Sequence, residues 1–116
     1  MKNKEYLSIK KMIEYIEKIE RYTNDCEFKV FKINEEKVDA TVFSLSQIGE
    51  LVKNISNETM EKYSNIEWIV IKNLRNKIVH DYEGINLEFI WDIIKSDIKS
   101  LKIELNEIIE NEKVEE

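Results

Sequence analysis

The sequence predicts an all-α protein, and three observations carry that prediction. There is no proline and there are only two glycines, Gly49 and Gly84, in 116 residues, whereas all-β folds need turn residues every few positions. Apolar residues recur three and four positions apart along most of the chain, the period of an amphipathic helix. Charged residues make up 36%, with abundant Glu and Lys to clothe the solvent faces of helices. The length suits one domain with its own core.

The elements follow in order. Ile9, Met12, Ile13, Ile16 and Ile19 form one apolar face of a helix over about Glu5 to Tyr22. Thr23-Asn24-Asp25 reads as its stop. Phe28, Val30 and Phe31 make a short apolar piece that fits a helical turn or a bend. Asn34, followed by Glu35 and Glu36, reads as an N-cap with acidic residues in the first turn. Val38, Val42, Leu45, Ile48, Val52 and Ile55 then form a long stripe. Gly49 sits inside it, at a cost of about 1 kcal/mol against Ala, which points to close approach of another helix.

Asn57 is read as capping a short helix through Tyr63. Ser64-Asn65-Ile66-Glu67 matches a capping box, so the next helix should start near Asn65 and end near His80. Asp81 to Gly84 is read as a connector, and Asn86 with Glu88 as the start of the last helix. Phe89, Ile90, Ile93, Ile94, Leu101, Leu105 and Ile108 give that helix a long apolar face. Short connections between four main helices predict an up-and-down bundle of four to five helices, a single domain over 1–109 with an acidic tail over 110–116.

Composition excludes several classes. Cys26 is the only cysteine, so no intrachain disulfide forms, and a zinc site would need more His and Cys than one of each. No apolar run approaches the length of a membrane span, and MKNKEYLSIKK lacks the apolar core of a signal peptide. The expectation is a cytoplasmic chain with no membrane contact. There is no Gly-rich phosphate loop, and Ser44 and Ser46 have no His nearby in sequence. No cofactor is signalled. The net charge of −6 disfavours broad nucleic-acid binding.

Against that acidic background, residues 74–82 stand out as Leu-Arg-Asn-Lys-Ile-Val-His-Asp-Tyr. They hold the only His, and Lys72, Arg75 and Lys77 gather positive charge around it, as a phosphate-handling site requires. His80 can give or take a proton near neutral pH. Arg75 can stabilise charge on a phosphorane. Asn76 and His80, four apart, share a helix face, but Arg75 points about 140° away from His80. Their convergence calls for a long arginine reach or for a helix that ends before His80. One His does not hold both proton roles at once, whereas two copies about a two-fold axis do. The same residues also read as a C-terminal helix cap and a solvated arginine, and spacing alone does not choose.

Arg75-Asn76-Lys77-Ile78-Val79-His80-Asp81-Tyr82 fits R-N-x-x-x-H-x-Y. This resembles the signature of the HEPN superfamily in the form found in HepT-like toxins. Ser46-Gln47-Ile48-Gly49-Glu50 resembles the family's Q-I-G-E segment, and Ile66-Glu67-Trp68, Ile85-Asn86-Leu87 and Trp91 follow in the family's order. The likeness spans roughly Ile9 to Leu105. Glu67 and Asn73 depart from it, where the family often has Pro and Gly.

The resemblance implies a HEPN-like helical homodimer in which the motifs of both copies form one composite, metal-independent endoribonuclease site for RNA, tRNA or mRNA. Arg75, Asn76 and His80 would be catalytic, and Lys72 and Lys77 would contact RNA phosphates. The system implied is toxin–antitoxin, with an MntA-type nucleotidyltransferase antitoxin that adds AMP to Tyr82 and silences the toxin. A bulky anion two residues from His80 would block RNA and repel its backbone. The alternative, motivated by the acidic charge and single His, is a non-catalytic nucleotide- or partner-binding module associated with a nucleotidyltransferase. A plain adaptor bundle would leave the motif without a role.

Overall fold

The computed structural model describes residues 1–81 and 86–112, and the side chains of residues 79–81 lie outside that description. Every regular element among the described residues is helical. Helix α1 spans Asn3–Thr23 and buries Ile9, Met12, Ile16 and Ile19 completely, the stripe that the sequence periodicity predicts. The helix stops where expected. The Thr23 hydroxyl donates to Ile19 O at 2.8 Å, Asn24 is extended, and Asp25 takes a left-handed φ of 58°, a conformation Asp tolerates.

The short apolar piece is a single helical turn, α2 (Phe28–Phe31), which sinks Phe31 into the core against Trp91, ring centroids 5.0 Å apart. Helix α3 (Glu35–Leu51) begins at the predicted cap, with Asn34 Oδ1 accepting from Lys37 N at 3.1 Å. It tightens into a 3₁₀ turn over Val52–Asn54, which keeps Val52 and Ile55 buried after the α-helix has ended.

Helix α4 (Asn57–Lys62) is capped by Ser56 rather than by Asn57: the Ser56 hydroxyl accepts from Thr59 N at 3.2 Å. The capping box at Ser64–Glu67 does not form. Helix α5 spans Trp68–Asp81 and starts about a turn later than that reading. Buried Ile66 and Trp68 pin the intervening bend, the Trp68 indole donates to Tyr63 O at 3.1 Å, and Asn65 is drawn away to Glu104 at 2.8 Å. At its other end α5 continues through His80 to Asp81, so the connector does not begin at Asp81.

Asn86 caps α6 (Leu87–Asp92) as expected, accepting from Glu88 N at 2.9 Å and Phe89 N at 3.2 Å. A π-helical turn (Ile93–Asp97) carries α6 without interruption into α7 (Ile98–Asn111). Ile90, Ile94, Ile98, Leu101, Leu105 and Ile108 are buried, but Phe89 is exposed. The acidic tail is helical to Asn111, and Glu112 pairs with Lys62 at 3.0 Å.

The long elements pack in the order α7, α1, α3, α5. Their ends show that neighbours run antiparallel. Lys37 at the start of α3 donates to Tyr22 O at the end of α1. Lys102 of α7 pairs with Glu20 of α1 at 2.8 Å. Gly49 near the end of α3 meets Ile71 and Arg75, the fourth and eighth residues of α5. This is the up-and-down bundle that the short connections imply.

Glu5 locks the bundle's other end. Its buried carboxylate accepts from Ser56 N at 2.7 Å and from the Thr59 hydroxyl at 2.9 Å, tying α1 to the start of α4. Burial works to raise its pKa, but the Ser56 N–H and the Ser56 and Thr59 hydroxyls outweigh it and hold the carboxyl below the usual 4.5. A depressed folded-state pKa gives stability that is present above the unfolded value and lost as pH falls through the folded one. Glu5→Gln should therefore cost about 1.5–3 kcal/mol at pH 7, the range for hydrogen bonds to a charged group. The gap between parent and variant in thermal melts should narrow below pH 4.5. A gap that is constant from pH 7 to 3 would show that the charge is not involved.

Candidate active site

Arg75 reaches its place because α3 and α5 touch. A Cβ on Gly49 would lie 2.6 Å from Arg75 Cβ and 2.8 Å from Ile71 O, so only glycine lets the two backbones come this close. The close approach read from the sequence is thus observed, and its partner is the helix that bears the motif. Beyond that contact, Arg75 Nε lies 3.0 Å from Glu50 Oε2, and Arg75 Nη1 donates to Asn76 Oδ1 at 3.1 Å. The other oxygen of Glu50 accepts from Lys53. The Lys53 ammonium, with Arg75 adding to it, holds the Glu50 carboxyl below its usual range.

The remaining predicted residues are spread around α5. Asn76 is exposed on the flank that leads towards His80. The backbone of His80 is helical, so the turn expected to end before it does not, and the two residues depart from one helix about 140° apart. The His80 side chain and Tyr82 lie outside the described residues. Lys72 is exposed, about 60° from Arg75 and on the same side as Asn76, one turn before it. Lys77 leaves α5 about 200° from Arg75 and sits over the Phe89 ring, 4.4 Å from its centroid. The two lysines therefore serve different flanks.

Lys77 and Phe89 border a groove of about 550 Å³ between α5 and the α6–α7 helix, floored by Leu45, Ile71, Leu74 and Leu101. The π turn contributes Ile93 and Asp97 to its wall. Among the described residues, no group of three or more His, Cys, Asp or Glu is placed to hold a metal ion. No described helix is long and apolar enough to cross a membrane.

Sequence reasoning missed Glu50 and Lys53 as neighbours of Arg75. The available signal was Gly49: a glycine within an apolar stripe marks a helix contact, and the polar residue beside it must then face the partner helix.

Comparison with known proteins gives a consistent result. The family described as "Ribonuclease HepT-like" matches residues 12–108. A Methanocaldococcus jannaschii protein named "Putative RNase" is 36% identical over 100 residues, covering 86% of this chain and 83% of its own. A Caldanaerobacter subterraneus protein of the same description is 35% identical over 105 residues, covering 82% and 94%. The "Probable ribonuclease HepT" of Thermococcus cleftensis is 34% identical over 100 residues, covering 86% and 89%. No solved structure matches the chain.

Proposed function

The chain belongs to the ribonuclease HepT-like family, and on that premise we propose that it is a metal-independent endoribonuclease whose site is shared by two copies. The observation that carries this reading is an arginine braced by a carboxylate on the helix that also bears Asn76 and His80. The substrate's 2′-hydroxyl attacks its own phosphorus. One His80 takes the hydroxyl proton and the partner's His80 protonates the departing 5′-oxygen, leaving a 2′,3′-cyclic phosphate and a 5′-hydroxyl. Arg75 stabilises the charge that builds on the phosphorane, and Asn76 orients its neighbours.

A continuous helix favours the two-copy arrangement, because within one chain Arg75 and His80 occupy helix positions about 140° apart. Ile69 is 67% exposed and lies on the same flank of α5 as Asn76 and His80. That apolar residue supports pairing of two copies along α5. Lys72 and Lys77 would steer RNA phosphates from either side in an otherwise acidic protein.

In this proposal the protein acts in the cytoplasm as the toxin of a toxin–antitoxin pair. An MntA-type nucleotidyltransferase silences it by adding AMP to Tyr82. The target is tRNA or mRNA. The groove favours one competing reading, a non-catalytic module that binds a nucleotide or partner, since its volume falls in the range of small-molecule pockets.

The deciding experiment incubates the pure protein, shown by mass to lack AMP, with total tRNA in excess EDTA, beside His80→Ala. Cleavage that survives chelation, leaves cyclic phosphate ends and disappears in the variant is expected. Light scattering of the same sample should give the mass of a dimer, and an active monomer would remove the shared site. A dimer that cleaves nothing would transfer the assignment to the binding module.

A further inference from the structure

Glu50 bridges two cations. One oxygen meets Arg75 Nε at 3.0 Å across the α3–α5 contact, and the other accepts from Lys53 in the 3₁₀ turn that follows α3. We infer that Glu50 is a positioning residue for Arg75: by accepting the Nε–H it fixes the plane of the guanidinium and leaves the outer Nη edge for an RNA phosphate. This rests on the ribonuclease reading above.

The guanidinium is a rigid fork, so holding one edge orients the rest. Glu50 holds Nε and Asn76 holds one Nη1 hydrogen. Two fixed bonds remove side-chain freedom before substrate arrives, which is where preorganisation gains its effect. Glu50 and Arg75 side chains are each 37% exposed, and an ion pair of that exposure contributes little stability. Placement is therefore the larger consequence of the contact.

A carboxylate beside a phosphate site would ordinarily repel the substrate. Lys53 answers that difficulty, because its ammonium is bonded to the second oxygen and offsets the charge. The same contact keeps Glu50 ionised through the pH range in which a histidine titrates.

The test measures steady-state cleavage of a labelled tRNA by Glu50→Ala, Glu50→Gln, Arg75→Ala and the double variant Glu50→Ala/Arg75→Ala, with thermal melts of each. Glu50→Ala should lose about tenfold to hundredfold in kcat, the scale of a misplaced catalytic group, with KM within about threefold and a nearly unchanged Tm. Glu50→Gln, which still offers an oxygen to Nε, should recover much of the rate. In the Arg75→Ala background, loss of Glu50 should change nothing more.

Parental activity in Glu50→Ala beside an inactive Arg75→Ala would overturn the positioning role and leave the ribonuclease reading intact. Losses that multiply in the double variant would also overturn it, because Glu50 would then act apart from Arg75. Parental activity in Arg75→Ala would remove the reading and this inference together. If Glu50→Ala proves poorly folded, Glu50→Asp keeps the charge and shortens the reach. It should then lose rate at an unchanged Tm, and full activity would overturn the role.

Discussion

Arg75→Ala should slow RNA cleavage by about 10²–10³-fold, the loss seen when a single donor to a developing oxyanion is removed. The protein should stay folded. The substitution keeps the Cβ that meets Gly49, and the arginine side chain beyond it is partly exposed. Glu50 retains Lys53 as a partner, so no isolated charge is left behind. Melts should therefore agree with the parent to within about 1 kcal/mol, as for substitutions away from the core. Arg75→Lys should rescue little, because an ammonium keeps the charge but cannot meet Glu50, Asn76 and a phosphate with one planar fork. A rate within threefold of the parent, measured on labelled tRNA at equal protein concentration, would mean that Arg75 stabilises nothing in the reaction.

A large effect on both stability and cleavage should come from adding one methyl group. Intrinsic propensity favours Gly49→Ala by about 1 kcal/mol in a helix interior, so a site free of contacts would become more stable. Here the new carbon would meet Arg75 Cβ at 2.6 Å and the Ile71 carbonyl oxygen at 2.8 Å. Neither is the far end of a flexible side chain, and relief requires α5 to move off α3. Overpacking costs about 1–3 kcal/mol, and two contacts under 3.0 Å with atoms at or next to the backbone place this site in the upper part of that range, so the net change after the propensity gain should be a destabilisation of about 1–2 kcal/mol. At about 4–8 °C per kcal/mol for a domain near this size, Tm should fall by roughly 10 °C. Cleavage should fall as well, because the displacement carries Arg75 away from Glu50. A Tm equal to or above the parent's would show that the helices separate at little cost.

The sequence is most informative where one residue's environment depends on its own neighbours in the chain. The α1 stripe, the Asn34 and Asn86 caps and the stop at Asp25 are local, and the structure reproduces them. The capping box at Ser64 was equally local in appearance. It lost to burial of Ile66 and Trp68, a tertiary demand that periodicity does not display. Phe89 matched an apolar face by position, yet the helix geometry leaves it at the groove edge over which Lys77 lies. The motif residues were legible because they are contiguous. Glu50 and Lys53 were not, since their relation to Arg75 exists only once two helices separated by α4 have been pressed together. Gly49 recorded that pressure in the sequence without naming what it brought close.

The π turn at Ile93–Asp97 also bears on which changes of chain length this fold tolerates. Such a turn closes one residue later than an α-helical turn, so it stores one surplus residue without disturbing what lies on either side. Losing a single residue there would let the stretch relax into ordinary α-helix, with Ile90 and Leu101 still facing the core. A single deletion further along, between Leu101 and Ile108, would swing everything beyond it by about 100° and turn Leu105 or Ile108 towards water. Among related chains, one-residue length differences in the last helix should therefore collect at this turn, beside the groove, and stay out of the segment that seals α1.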